Sequence, residues 1–145
     1  MHDAKKESVS KMNSFLRGEI SAVETYRQCL DKLEDGHSRN ILEDGLRSHE
    51  RRVTLLRDWI VRRGGKAVDT SGAWGSMVKL VQGGAAAVSE KAAVKVLEEG
   101  EDHGRNDYER EMDNLDPDAR KLIENQILPE QLRTHEALAA LQHSI

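Results

Sequence analysis

The chain predicts an all-α fold, a bundle of four helices built as two antiparallel hairpins joined by a long crossover that carries a short helix. Three observations lead there. Only two prolines, two tryptophans, two tyrosines and one phenylalanine occur among 145 residues, while Ala, Leu, Glu, Lys and Arg recur throughout. Apolar residues return every three or four positions along four long stretches, the stripe of a helix that buries one face. The chain also repeats itself. Gly18-Glu19…Tyr26 is followed by Gly45-Leu-Arg-Ser-His-Glu50, and Gly100-Glu101…Tyr108 by Gln131-Leu-Arg-Thr-His-Glu136, each half placing a carboxylate some 30 residues before an imidazole.

The first helix, about 3–35, carries Val9, Met12, Leu16, Glu19, Val23, Tyr26, Leu30 and Leu33 at alternating steps of three and four, and is expected to end at Asp35-Gly36. Ser38 is a suitable N-cap for the second, about 38–63, whose stripe reads Leu42, Leu46, His49, Val53, Leu56 and Ile60 before Gly64-Gly65. So short a link makes a hairpin. Residues 64–88 are rich in Gly, Ala and Ser, with an amphipathic turn around Trp74–Val81. At about 1.5 Å of rise per helical residue, such a segment is long enough to traverse the bundle. The third helix, about 89–115, shows Val94, Leu97, Glu101, Gly104, Tyr108, Met112 and Leu115 on one face. Asp116-Pro117 reads as an N-cap with Pro at the first helical position, opening a fourth helix, about 117–143, with Leu128, Leu132, His135, Leu138 and Leu141 inward and a kink at Pro129. Together these form a single domain, 1–145.

Composition excludes several functions. A formal charge of −4 argues against binding a phosphate backbone. No stretch approaches the roughly 20 apolar residues of a membrane span, and the polar N-terminus lacks the form of a secretory signal. One cysteine, Cys29, precludes an internal disulfide and suits a reducing cytoplasm, where it serves as a small core residue. There is no nucleotide-binding loop, nucleophilic triad or zinc-finger spacing. The arginine run Arg47, Arg51, Arg52, Arg57, Arg62 and Arg63 shares its helix with Glu43, Glu50 and Asp58, and reads as a solvated face. His103 falls off the stripe, His37 lies in a loop, and His2 and His143 belong to the ends.

The chemistry rests on four polar residues at apolar stripe positions: Glu19, His49, Glu101 and His135. Unpaired burial of such groups is costly, so they must pair with one another, bind a metal or meet trapped water. Their order, with RGEISAVETY, the RRGG ending the second helix, EEGEDHGRNDYEREM and LRTHEAL, resembles the ferritin-like superfamily. The first of these segments is similar to the first metal-bearing helix of the demethoxyubiquinone hydroxylases, and the whole chain to a bacterial ferritin-like domain family of unassigned function. The resemblance implies Glu19 and Glu101 as single metal-binding carboxylates and His49 and His135 as the histidines of two Glu-x-x-His motifs. The motif carboxylates are missing, however: Leu46 and Leu132 stand in their places.

The expectation is therefore one Fe or Zn ion, or a weakly held pair, at Glu19, His49, Glu101 and His135, with Glu98 as a spare carboxylate and Tyr26 and Tyr108 behind them. This is too few ligands for a ferroxidase, and points away from an enzyme. The alternative is a non-enzymatic interaction or scaffold module with a metal-free Glu-His-Tyr core. Neither reading calls for a membrane or a nucleic acid; a homo-oligomer and a protein partner are left open.

Overall fold

The computed structural model describes residues 2–33, 38–71 and 89–145. The expected helix stop at Asp35-Gly36 and the short helix around 74–81 lie outside these residues. Helices α1 (His2–Lys32) and α2 (Arg39–Arg62) form the first hairpin; α3 (Glu90–Glu111), α4 (Pro117–Leu122) and α5 (Leu128–Ser144) make the second, α4 passing into α5 through a π-helical turn, Ile123–Ile127. None of the described helices is long and apolar enough to cross a membrane.

Local chemistry sets most of the boundaries. Gly64 ends α2 in the left-handed region at φ 76°, which costs a residue without Cβ nothing, and its N–H reaches the Val61 carbonyl at 2.9 Å. Ser89 caps α3 by accepting from the Ala92 amide at 3.1 Å, and Asp116 caps α4 by accepting from the Ala119 amide at 2.9 Å, with Pro117 following. Ser38 stands at the cap position of α2, but its hydroxyl donates to Glu90 instead and so ties α2 to the start of α3.

Two apolar clusters fill the bundle, one near each end. Met12, Leu16, Leu56, Ile60, Leu115 and Ile123 are among those at one end, and Leu30, Leu33, Leu42, Val94, Leu97 and Leu138 among those at the other. α1 thus starts where α2 and α3 finish, so α2 and α3 run in the same direction. The segment 63–89 links α2 to α3. Its first residues are anchored by Asn13, which donates to the Lys66 carbonyl and accepts from the Val68 amide, both at 2.9 Å.

The π-turn decides what the second hairpin shows to the core. Ala119, Ile123, Ile127 and Gln131 are all buried, three successive steps of four. On an ideal α-helix each such step drifts about 40°, roughly 120° in all, which would carry the inward face off the core. The π-turn inserts about one residue's worth of rotation and absorbs most of that drift. Pro129 follows immediately. Having no N–H and clashing with the carbonyl four residues back, proline is accommodated here by a widened turn.

The buried polar site between the two apolar clusters

Midway along the bundle the apolar clusters are separated by a polar layer that is almost wholly out of water. Glu19, His49, Arg52, Glu101, Gln131 and Thr134 are each at most 4% exposed. The imidazole of His49 lies between two carboxylates, its Nδ1 2.5 Å from Glu19 Oε1 and its Nε2 2.7 Å from Glu101 Oε2. Each nitrogen faces an acceptor, so both carry protons and the ring is an imidazolium. Burial works against that charge, but Glu101 and Glu19 together outweigh it and the pKa is raised.

The two tyrosines bond crosswise. Tyr26 of α1 donates to Glu101 of α3 at 2.6 Å, and Tyr108 of α3 donates to Glu19 of α1 at 2.5 Å. This exchange is the geometric form of the duplicated Gly-Glu…Tyr segment. It needs space at one glycine: a Cβ on Gly45 would lie 2.5 Å from the Tyr26 ring. Burial, together with the adjacent carboxylates, pushes both phenols well above their ordinary range and keeps them donors.

Arg52 supplies the second positive charge. Its Nη1 lies 3.5 Å from Glu19 Oε2 and also donates to Gln131, while Nη2 reaches Thr134 Oγ1 at 2.7 Å, Ser48 Oγ at 3.0 Å and the Glu130 carbonyl at 3.1 Å. Thr134 in turn donates to Glu101 Oε1 at 2.8 Å, and Gln131 Nε2 to the Glu101 carbonyl at 2.5 Å. Burial opposes ionisation of Glu19, yet Arg52 and His49, with Tyr108, hold its carboxyl down at about 2. Burial likewise works against the Glu101 carboxylate, and His49 with Arg52 overcomes it, so that pKa too is lowered. Two carboxylates against one imidazolium and one guanidinium leave the layer neutral.

Of the residues expected at a site, Glu19, His49, Glu101, Tyr26 and Tyr108 come together. His135 and Glu98 do not. At this level the inward positions of α5 are Gln131 and Thr134, and His135, one residue on, is turned about 100° away, with its ring 3.6 Å from the surface carboxylate of Asp102. Leu132, also expected inside, is 40% exposed for the same reason. Glu98 faces the end of α5, where the Gln142 amide, in the orientation that satisfies both groups, donates to it at 3.2 Å. Among the described residues no group of three or more His, Cys, Asp or Glu is arranged to hold a metal ion. The physical reason is that the two nitrogens of His49 point at different carboxylates, so the three side chains do not converge on one point.

Arg52 was missed because it sits in an arginine-rich stretch that looks solvated. One available signal was spacing: Gly45, Ser48, Arg52 and Leu56 form an unbroken stripe of threes and fours, and all are buried. For Gln131 and Thr134 no such signal exists without the π-turn.

A solved structure titled "Crystal structure of ferritin like, diiron-carboxylate proteins from Bacillus anthracis str. Ames" matches with a TM-score of 0.75 at 16% identity, over 98% of this chain and 99% of that one. The fold is ferritin-like. The model of a domain of unknown function (DUF2383) matches residues 7–114, and the chain belongs to that family. No curated protein matches the chain.

Proposed function

We propose that this ferritin-like chain is a non-enzymatic helical module whose core is neutralised by its own cations, His49 and Arg52, in place of metal ions. The observation that carries the reading is Arg52: it is 1% exposed, in contact with Glu19, and bonded to Ser48, Gln131, Thr134 and the α5 backbone. A cation bonded on so many sides does not swing aside without leaving several buried acceptors bare. The fold family implies a metal pair, and the residues here do not fit one. Among the described residues one imidazole faces the core, its two nitrogens face different carboxylates, and Leu46 stands where a Glu-x-x-His carboxylate belongs. A fully bonded polar layer fixes which helix faces meet, a role consistent with a scaffold or interaction module.

Metal content is the test. Full-length protein produced in iron- and zinc-supplemented medium should carry well under one ion per chain, and chelator should leave its melting temperature unchanged. The second reading, one Fe or Zn held by Glu19, His49 and Glu101, draws support from the neighbour described as diiron-carboxylate and from the contact of His49 with both carboxylates. It requires His49 to lose a proton and Arg52 to withdraw. A stoichiometric ion that disappears in Glu19→Ala and His49→Ala would establish it and overturn the first.

A further inference from the structure

The seam between α1 and α3 holds a cavity of about 40 Å³ that reaches inward to Glu19 and His49. Its walls are mostly apolar, formed by Phe15, Tyr108, Ala22 and the glycines Gly18, Gly100 and Gly104, with the exposed Ser14 at the rim. It opens past His103 and Asp107 into a wider surface groove of about 340 Å³.

Two features define what would occupy it. The first is that its polar inner wall is already bonded. Glu19 Oε1 accepts from His49, Glu19 Oε2 accepts from Tyr108, both His49 nitrogens face carboxylates, and Gln131 bonds Arg52 and the Glu101 carbonyl. Water needs two to four polar partners to settle in a cavity, whereas apolar space takes apolar guests. The second is Gly18. Glycine weakens a helix interior, and close packing is the usual compensation. At Gly104 a Cβ would come within 3.0 Å of Gln131 Nε2, so packing accounts for that glycine. At Gly18 a Cβ would meet nothing within 4 Å, and φ is not in the left-handed region. What Gly18 preserves is empty space beside the cavity.

We propose that this cavity binds one small neutral apolar molecule, of the size of a dissolved diatomic gas. At roughly 10–15 Å³ of such volume per water, it has room for a guest larger than a single water. The proposal rests on the reading in which Glu19 and His49 are bonded to each other and to their neighbours, and metal content tests that reading separately.

Xenon is the probe. In ¹⁵N spectra of the full chain under increasing xenon pressure, the amides of Gly18, Ala22, Gly100 and Gly104 should shift along a saturating curve. Gly18→Leu should abolish saturation by filling the space, and Gly18→Ala should weaken it severalfold while keeping the helical circular dichroism. If Gly18→Leu does not fold, the Gly18→Ala comparison decides alone. Shifts that stay linear with pressure, or that are the same in the wild type and the Gly18 variants, would overturn the proposal. So would a long-lived water detected at these amides.

Discussion

The same block, Leu-Arg-(Ser/Thr)-His-Glu, places its histidine differently on α2 and α5. In α2 it sends both Ser48 and His49 inward, His49 between two carboxylates; in α5 it sends Thr134 inward but His135 toward the surface. The residue before each block follows suit: Gly45 leaves room for Tyr26, and Gln131 fills the equivalent place and bonds Arg52 and the Glu101 backbone. Nearly identical local sequence therefore does not yield identical chemistry when helix rotation differs. Side chains one position apart point about 100° apart, and a single turn of different pitch is enough to move one of them off the core.

The strongest way to break the comparison is to remove each histidine in turn. His49→Ala leaves two buried carboxylates facing one guanidinium, and should cost about 3–5 kcal/mol in denaturant unfolding. His135→Ala should stay within about 0.5 kcal/mol, as for a surface change. Equal costs would show that the two blocks are in fact equivalent. At the preceding position, Gly45→Ala drives a methyl into Tyr26 and should cost about 1–3 kcal/mol. Gly18→Ala, with open space around it, should instead raise stability by up to about 1 kcal/mol.

Two milder changes sharpen the contrast. Thr134→Val removes a donor from Glu101 and an acceptor from Arg52, and should cost about 1–3 kcal/mol. Leu132→Gln, two residues earlier on the exposed side, should fall within about 0.5 kcal/mol. The mildest perturbation is pH. His49 has a folded pKa raised above 6.5, so its contribution is complete below that value and is lost as pH rises through the higher one. Glu19 has a folded pKa lowered from 4.5 to about 2, so its contribution is complete above 4.5 and fades as pH falls toward 2. These two groups together place a maximum in melting temperature between pH 4.5 and 6.5. His49→Gln should flatten the alkaline side of that profile, while His135→Ala leaves it intact. A profile unchanged in His49→Gln would contradict the imidazolium assignment.

Much of this was legible in the chain. The stripe of α1 from Met12 to Leu30 and that of α3 from Val94 to Tyr108 match the buried faces, because an uninterrupted α-helix turns the same amount at every residue; the expected third helix stops at Glu111, and Leu115 is buried from beyond a 3-10 turn. Glu19, Glu101, Tyr26 and Tyr108 lie on those two helices and were found by position alone. On α2 the inward face is turned slightly from the expected stripe, which exchanges Leu46 and Val53 for Gly45, Ser48 and Arg52. His49 serves either face.

By itself, the sequence determined the all-α class, the helices that form the two hairpins and the carboxylates and tyrosines of α1 and α3, since each follows from periodicity and local capping. Only the tertiary structure decided which face of α5 looks inward and what neutralises the acids. The π-turn's extra rotation depends on packing across the bundle, and the role of Arg52 depends on acceptors 79 to 82 residues away in the chain, at Gln131 and Thr134. Whether an arginine is a surface charge or a core cation is set by those distant partners, and no local pattern encodes them.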